Sequence, residues 1–509
     1  MGVIFSRSAA SAALPPPLPT LTIRNLTITP LELKEAKSID WHTHLHRPRE
    51  FEKVASHAGG ERRSHELGAS GITSGDGGHG EDGPPPTASH IIKDITIQPF
   101  SECLTAICPP GTAHNKRLRL TFEDLTTGHQ YSAAIPGTSH RTIVLLPHQP
   151  PSDSEPNKEF TAIYFPSHAY LALFSSANLS SWMSTLPSTL PLSSLSIPGT
   201  HNSPTHHVAL PSVRCQAVPV LEQLTNGVRF LDVRVSCPSY NPSSSCPPPD
   251  SSRPELALVH AAFPVSLTGA KHLSALLSAV YTFLSRHPSE TVLLSLKREG
   301  TGRGTDAHLS QILHSHYITP HASRWYTSPG IPSLAQCRGK IVLVRRFCLD
   351  PSIPAAQGGI DGSAWPDNVA DGTCGSGTIR IQDYYGVGNA TEIKRKVRFA
   401  QEGLDRAAQG LGVCPRGEGV PQTPLFINFL SASNFFNASC WPDRIALKIN
   451  PSMIEYLCME HGKRGKGPEQ SDPRDAVTGI VVIDWVGHHG DWDLVRCIVG
   501  WNARLQLQQ

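Results

Sequence analysis

The sequence predicts an α/β protein, a barrel of the (β/α)8 type preceded by a small all-β, sandwich-like unit. Two observations carry this. After residue 190, eight short apolar runs alternate with amphipathic stretches, the rhythm of strand–helix units around a parallel sheet. Before residue 175 the apolar runs are short, alternate in polarity and are parted by turn residues, with no helical period between them, as in a sandwich.

Residues 1–20, rich in Ala, Pro and Ser, read as a disordered N-terminus. The all-β unit spans 21–175, with strands expected at 21–29, 91–100, 117–125, 129–135, 141–147 and 159–166. Within it, 53–87 holds Gly, Ser, His, charge and Pro with almost no large apolar residue, and reads as a disordered insertion. The barrel covers 185–509. Its strands are expected at 193–199, 228–235, 256–260, 291–297, 340–347, 379–385, 425–432 and 479–486. The clearest helices are 267–287, 391–410, 451–462 and 491–506, with Thr268 and Asp491 as starting caps and Gly410 as an end.

Composition narrows the function. A chain of 509 residues with 39% hydrophobic and 17% charged residues has material for a large core. The net charge of +2 leaves no whole-chain electrostatic footprint for nucleic acid. No apolar run approaches the ~18 residues of a membrane span, and the first residues lack the apolar stretch of a secretory leader. Twelve cysteines contain no C-x-x-C pair, which disfavours a zinc ribbon. They read as buried thiols in a reducing, cytoplasmic setting, with Cys237 and Cys246 placed to bridge in an exported chain.

In such barrels, functional side chains project from the C-terminal ends of the strands. Those ends bring His201, then Asp232 and Arg234 on one face of a strand, then His260, Lys297, Arg345 with Arg346, Asp383 with Tyr385, and Asp484. Two His serve as general base and acid, cations hold a phosphate, and carboxylates orient the imidazoles. This is the set for phosphodiester cleavage by an internal nucleophile without an obligatory metal.

The runs SLSIPGTHNS, VRFLDVRVS, LALVHAAF, ETVLLSLKRE and GKIVLVRRF, continued by IQDYY, FINFLSAS and GIVVIDWVG, closely resemble phosphatidylinositol-specific phospholipase C of the bacterial type, including its fungal relatives. The resemblance covers residues 185–505 and implies a distorted TIM barrel. It implies His201 as the base that takes the inositol 2-hydroxyl proton and His260 as the acid that protonates the diacylglycerol oxygen. Arg234 would stabilise the phosphate, where metal-dependent relatives use calcium. Asp232 would support Arg234 and the acid, and Asp484 would orient His201. Lys297, Arg346, Asp383 and Tyr385 would line the inositol pocket. No cofactor is implied, and the partner is a phosphoinositide lipid at a membrane surface. One departure stands in the motif itself. Many members carry Asp after the first catalytic His, and here the residue is Asn202, which keeps hydrogen bonding and loses a charge.

Other signals are weaker. His42, His44 and His46 form an H-x-H run without a good strand, and 71–83 is Gly-rich without a P-loop Lys. The His206–His207 and His488–His489 pairs read as rim residues. MGVIFS fits an N-myristoylation signal at Gly2, a weak peripheral anchor. Two other readings remain open: a catalytically impaired lipid- or glycan-binding protein, favoured by Asn202, and a metal-dependent glycerophosphodiesterase-like enzyme, disfavoured by the missing metal-ligand clusters.

Overall fold

The structure is a computed structural model that describes residues 19–40, 89–110, 116–136, 142–149, 158–176, 178–238, 254–375, 377–412, 423–463 and 476–508. Gly2, most of the 1–20 segment, the 53–87 insertion, the His42–His46 run and Cys246 lie outside the described residues.

The first ten strands are β1 (Thr22–Leu26), β2 (Leu31–Asp40), β3 (Ser89–Ile97), β4 (Ser101–Leu104), β5 (Lys116–Asp124), β6 (Gln130–Ile135), β7 (Thr142–Val144), β8 (Leu146–Pro147), β9 (Phe160–Phe165) and β10 (Tyr170–Ser175). They form two five-stranded sheets, ordered β4-β1-β10-β9-β7 and β3-β2-β5-β6-β8. Ile23, Ala162, Leu171 and Leu173 of the first meet Leu33, Leu120, Phe122 and Ala133 of the second in one apolar cluster. The expected 21–29 strand ends at Leu26, and β2 was not anticipated. A register shift between Leu33 and Glu35 breaks its alternation, so the charged run LELKEAKSID hides its period.

The second half is built on β11 (Ile197–Thr200), β12 (Phe230–Ser236), β13 (Ala257–His260), β14 (Phe263–Pro264), β15 (Val292–Arg298), β16 (Trp325–Tyr326), β17 (Ile341–Arg346), β18 (Ile360–Asp361), β19 (Gly372–Cys374), β20 (Ile379–Gln382), β21 (Leu425–Phe429) and β22 (Ile480–Ile483). Their central order is β17-β15-β12-β11-β22-β21-β20, every neighbour parallel. This corrects the expected eight staves in two ways. Among the described residues the long parallel staves are seven, in a curled sheet with no strand pairing between β17 or β18 and β20 or β19. The expected third stave, β13, pairs antiparallel with β12 and turns back into β14. A short apolar run does not reveal the direction of its partner.

Helices α1 (Val220–Thr225), α2 (Leu273–Arg286), α3 (Asp306–Ile312), α4 (Leu334–Cys337), α5 (Ile393–Gly412), α6 (Pro442–Met459) and α7 (Asp493–Gly500) lie between or after these strands. Helix α2 starts at Leu273, not after Thr268, because Gly269 adopts a positive φ of 115° and Thr268 closes a turn on Ser266. Helix α6 starts nine residues before its expected onset, from Pro442 at its first turn, and carries Pro451 inside. Helix α7 has Trp492 at its N-cap and no capping side chain, so Asp491 is not the cap expected; it lies one residue earlier and accepts from the Asp493 amide.

Period-2 alternation sets the two faces of the curl. Leu231, Val233, Leu294, Leu296, Ile341 and Leu343 turn outward and pack with Leu276, Leu277, Val280, Phe283 and Leu284 of α2. Phe230, Leu293, Val342 and Val344 share the other apolar cluster. Next along that inner face come Asp232, Arg234, Lys297 and Arg346, so a polar layer sits above an apolar floor.

The sheet holding β9 and β10 is buried on both faces. Ile163, Phe165, Tyr170, Ala172 and Phe174 belong to the curled sheet's apolar cluster with Ile454, Cys497 and Trp501. Buried Arg24 reaches across, donating to the carbonyls of Cys458 (3.0 Å) and His461 (2.7 Å). Arg24→Met leaves those carbonyls without donors, and we expect a loss of about 2–4 kcal/mol, read as a lower denaturant midpoint.

Candidate active site at the open end of the curled sheet

A cleft of about 360 Å³ opens where the inner face ends, lined by His201, Arg234, His260, Lys297, Glu299, Arg346, Trp365, Asp367, Asp383, Tyr385 and Ser433 among others. Seven of the ten residues that the resemblance points to are thus brought together. The other three stand behind the wall: Asp232, Asn202 and Asp484 are 0%, 1% and 3% exposed.

Asp232 organises the floor. Its Oδ1 accepts from Arg346 Nη1 (3.2 Å), and its Oδ2 accepts from Arg234 Nη2 (3.2 Å) and the Asn202 amide (3.1 Å). Burial opposes its charge, but Arg234 and Arg346 outweigh burial and hold the carboxyl far below the usual range. Burial likewise opposes the Arg234 charge, and Asp232 and Glu299 more than compensate. Arg346 lies 3.8 Å from the centre of the Trp365 ring. Arg345, one residue back, points the other way to the Gly358 carbonyl and Asp361, as alternation requires.

The two histidines face each other edge-on, ring centroids 5.9 Å apart. His201 Nδ1 meets Asp484 Oδ1 at 3.0 Å. Its carbonyl and that of Ile483 both accept from Gln216 Nε2. Asn202 holds a positive φ of 42°, a conformation Asn tolerates better than most residues. Its Nδ2 sits 3.1 Å from His201 Nε2, and its Oδ1 has no partner. With Nδ2 inward the amide matches a neutral imidazole that accepts at Nε2. Turned over, Oδ1 would accept from the imidazolium. Burial disfavours that imidazolium, but Asp484 and Cys215 outweigh burial and raise the His201 pKa to about 10. The folded state therefore binds this proton more tightly than the unfolded chain, whose His titrates near ~6.5. The stabilisation is complete below that value and is lost as pH rises toward about 10.

His260 comes from the β13 hairpin, not from a stave. Its Nδ1 donates to the Val213 carbonyl (2.9 Å), which leaves Nε2 for the cleft. On the far side, Lys297 Nζ reaches Glu299 Oε1 at 2.9 Å. Trp365 Nε1 donates to Asp383 Oδ2 (3.0 Å), and the Tyr385 hydroxyl donates to Asp367 Oδ1 (2.7 Å). The His206–His207 and His488–His489 pairs are not among the residues lining this cleft.

Three participants were missed. Glu299 bridges Arg234, Lys297 and the Ala261 amide; the period-2 rule that paired Asp232 with Arg234 also pairs Lys297 with Glu299. Trp365 lies in a loop with no such signal. Cys215 is fully buried, with Sγ 3.8 Å from both Asn202 Nδ2 and His260 Nδ1. Burial and Asp484 push its thiol pKa up, but the two histidines outweigh them and bring it down to about 7.

Comparison with known proteins bears on the family. Residues 188–347 match the family model "Phosphatidylinositol-specific phospholipase C, X domain". The chain carries a phosphatidylinositol-specific phospholipase C X domain. The X domain thus supplies β11 to β17, and with them His201, Asp232, Arg234, His260, Lys297, Glu299 and Arg346. A 1-phosphatidylinositol phosphodiesterase of Listeria monocytogenes is 29% identical over 174 residues, 32% of this chain and 47% of that protein. One from Staphylococcus aureus is 25% identical over 353 residues, 67% of this chain and 98% of that protein. A solved mutant phospholipase C of this type from S. aureus aligns at a TM-score of 0.49 and 22% identity, over 64% of this chain and 97% of its own.

The raised His201 pKa is directly testable. Followed by NMR, the His201 imidazole titrates near 10 in the native chain. In Asp484→Asn the titration moves to lower pH, because the largest favourable charge is gone.

Proposed function

We propose that this protein is a phosphatidylinositol-specific phospholipase C that releases diacylglycerol and a cyclic inositol phosphate by His acid–base catalysis. One observation carries the reading: two imidazoles, each tied at Nδ1, face one cleft whose floor carries two guanidiniums and an ammonium. The relatives' names agree with it.

In the proposed mechanism the phosphodiester lies between the rings. The neutral form of His201, the minor form below its pKa of about 10, takes the proton from the inositol 2-hydroxyl at Nε2. The resulting alkoxide attacks phosphorus and closes the cyclic diester. His260 gives its Nε2 proton to the departing diacylglycerol oxygen, so both protons are accounted for. Arg234, fixed by Asp232 and Glu299, meets the charge growing on the phosphoryl oxygens. Asp484 fixes the His201 tautomer and stabilises its cation. Lys297, Arg346, Asp383 and Tyr385 are placed to bind the inositol hydroxyls, with Tyr385 held by Asp367. Asn202 replaces a charge with an amide that follows either protonation state of His201.

The lipid partner is supported by the rim. Phe263 and Phe435 stack at 5.5 Å beside the cleft, and the adjoining Phe436 is 94% exposed. Phe263 lies three residues after His260, and Phe435 two after Ser433, so the apolar patch adjoins the mouth. No helix among the described residues is long and apolar enough to cross a membrane. We read the protein as acting peripherally, with Gly2 as a possible acylation site, the curled sheet as a distorted TIM barrel, and residues 21–175 as a unit that supports the barrel without joining the chemistry.

Two experiments test this. His201→Ala and His260→Ala each lose about 10²–10⁴ in turnover of phosphatidylinositol. With a p-nitrophenyl leaving group the His260 variant recovers toward the native rate and the His201 variant does not; rescue of the His201 variant instead would reverse the roles. The native rate survives strong chelation, since Arg234 occupies the phosphate side of the site, and loss with recovery on adding calcium would refute that assignment. Separately, Phe436→Ser weakens partitioning onto phosphatidylinositol-containing vesicles about tenfold, with far less effect on a water-soluble substrate.

A further inference from the structure

We infer that the base end of the cleft is a binding site for a thiophilic divalent cation of the zinc class, formed by His201, Cys215 and Asp484, and that its occupation stops turnover. The inhibitory half rests on the phospholipase reading above; the binding half does not.

A ring nitrogen of His201, the Cys215 sulfur and a carboxylate oxygen of Asp484 all lie within 4.8 Å of one another. One nitrogen, one sulfur and one oxygen donor suit zinc or cobalt and not calcium or magnesium, which take six or more oxygens. Tetrahedral zinc holds such donors about 3.3–3.7 Å apart, so the widest pair must close by about 1 Å. The surroundings point the same way. Asp484 Oδ2, Asn202 Oδ1 and Gln216 Oε1 are buried acceptors with no donor, an excess of lone pairs that a cation relieves. The Cys215 sulfur lies 3.5 Å from the Val213 carbonyl and 3.8 Å from Asn202 and His260 and interacts with the His201 ring itself, so a cation there would exchange contacts among its own ligands. His201 forms part of the cleft wall, which supplies an entry path and leaves the fourth coordination position open to water.

The consequence follows from the donors used. A cation on the imidazole and on Asp484 takes the lone pair that accepts the substrate proton, or the carboxylate that orients it. The proposed mechanism needs no cation at either place. Chelation should therefore raise the rate of a preparation that carries zinc.

The test uses the full chain after chelation and dialysis. Co2+ should give tetrahedral d–d bands and a thiolate-to-cobalt charge-transfer band at one equivalent. Zn2+ should displace it and suppress turnover in parallel. Cys215→Ser should abolish the charge-transfer band and weaken zinc about 10–100-fold, each enzyme being compared with its own metal-free rate. Asp484→Asn, which keeps the thiol, should also weaken binding and covers the case in which the Ser variant misfolds. A native chain with no charge-transfer band, or a band unchanged in Cys215→Ser, overturns the site. So does cobalt bound without sulfur, as the His206–His207 or His488–His489 pair would hold it. Zinc bound through Cys215 with turnover intact overturns the inhibition. A metal-free enzyme inactive on phosphatidylinositol defeats the functional reading, while the cobalt band still decides the site.

Discussion

The site depends on one buried carboxylate. Asp232 has no exposure, and it joins Arg234 on its own strand, Arg346 on β17 and the Asn202 amide after β11. A charge this deep costs several kcal/mol unless paired, and here two guanidiniums share it. The pairing fixes the register of functional groups on three strand segments at once. It also turns both guanidiniums toward the cleft. Replacing Asp232 by an apolar residue would leave buried Arg346 without its carboxylate and Arg234 with Glu299 alone, so the floor of the cleft is held as a unit.

Around that floor the protein separates its acid from its base by backbone anchoring. His201 is tied to a carboxylate, and His260 to a carbonyl. The carboxylate favours the imidazolium of His201. Asn202 sits against the base as a reversible donor or acceptor. A carboxylate at that position could only accept, so the amide changes how the His201 charge is balanced. Cys215 enters the same balance as a buried thiol beside both imidazoles.

The N-terminal sheets shape the molecule differently. Strands β9 and β10 are buried on both faces, one toward their partner sheet and one toward α6 and α7. Such a sheet is shared core between the two halves. Arg24 crosses the boundary to satisfy carbonyls at the end of α6 and just beyond it. No described residue of these strands is among those lining the cleft, and the sheet covers helices α6 and α7, which pack beside the curled sheet.

Period and order were legible in the chain. Seven staves were legible as apolar runs between amphipathic stretches, and the pairing of Asp232 with Arg234 follows from a side-chain period of two, a local property of extended backbone; the preference for Arg346 over Arg345 came from the resemblance, and the structure supplies its reason by turning Arg345 to the other face. The ordered motifs around His201, Asp232, His260, Lys297 and Arg346 identified the family for the same reason: each is contiguous in sequence. Strand direction was not legible, because β13 reads like its neighbours and only hydrogen bonding to β12 shows it as a hairpin. Cys215 and Trp365 gave no sign, since neither lies at a strand end and their roles arise from loops folded against distant residues. The open seam between β17 and β20 and the double burial of β9 and β10 are likewise tertiary. Local sequence determines which way a side chain points along its own strand; only the packed chain decides which distant groups share a low-dielectric site, and that sharing sets the charges on which the proposed chemistry depends.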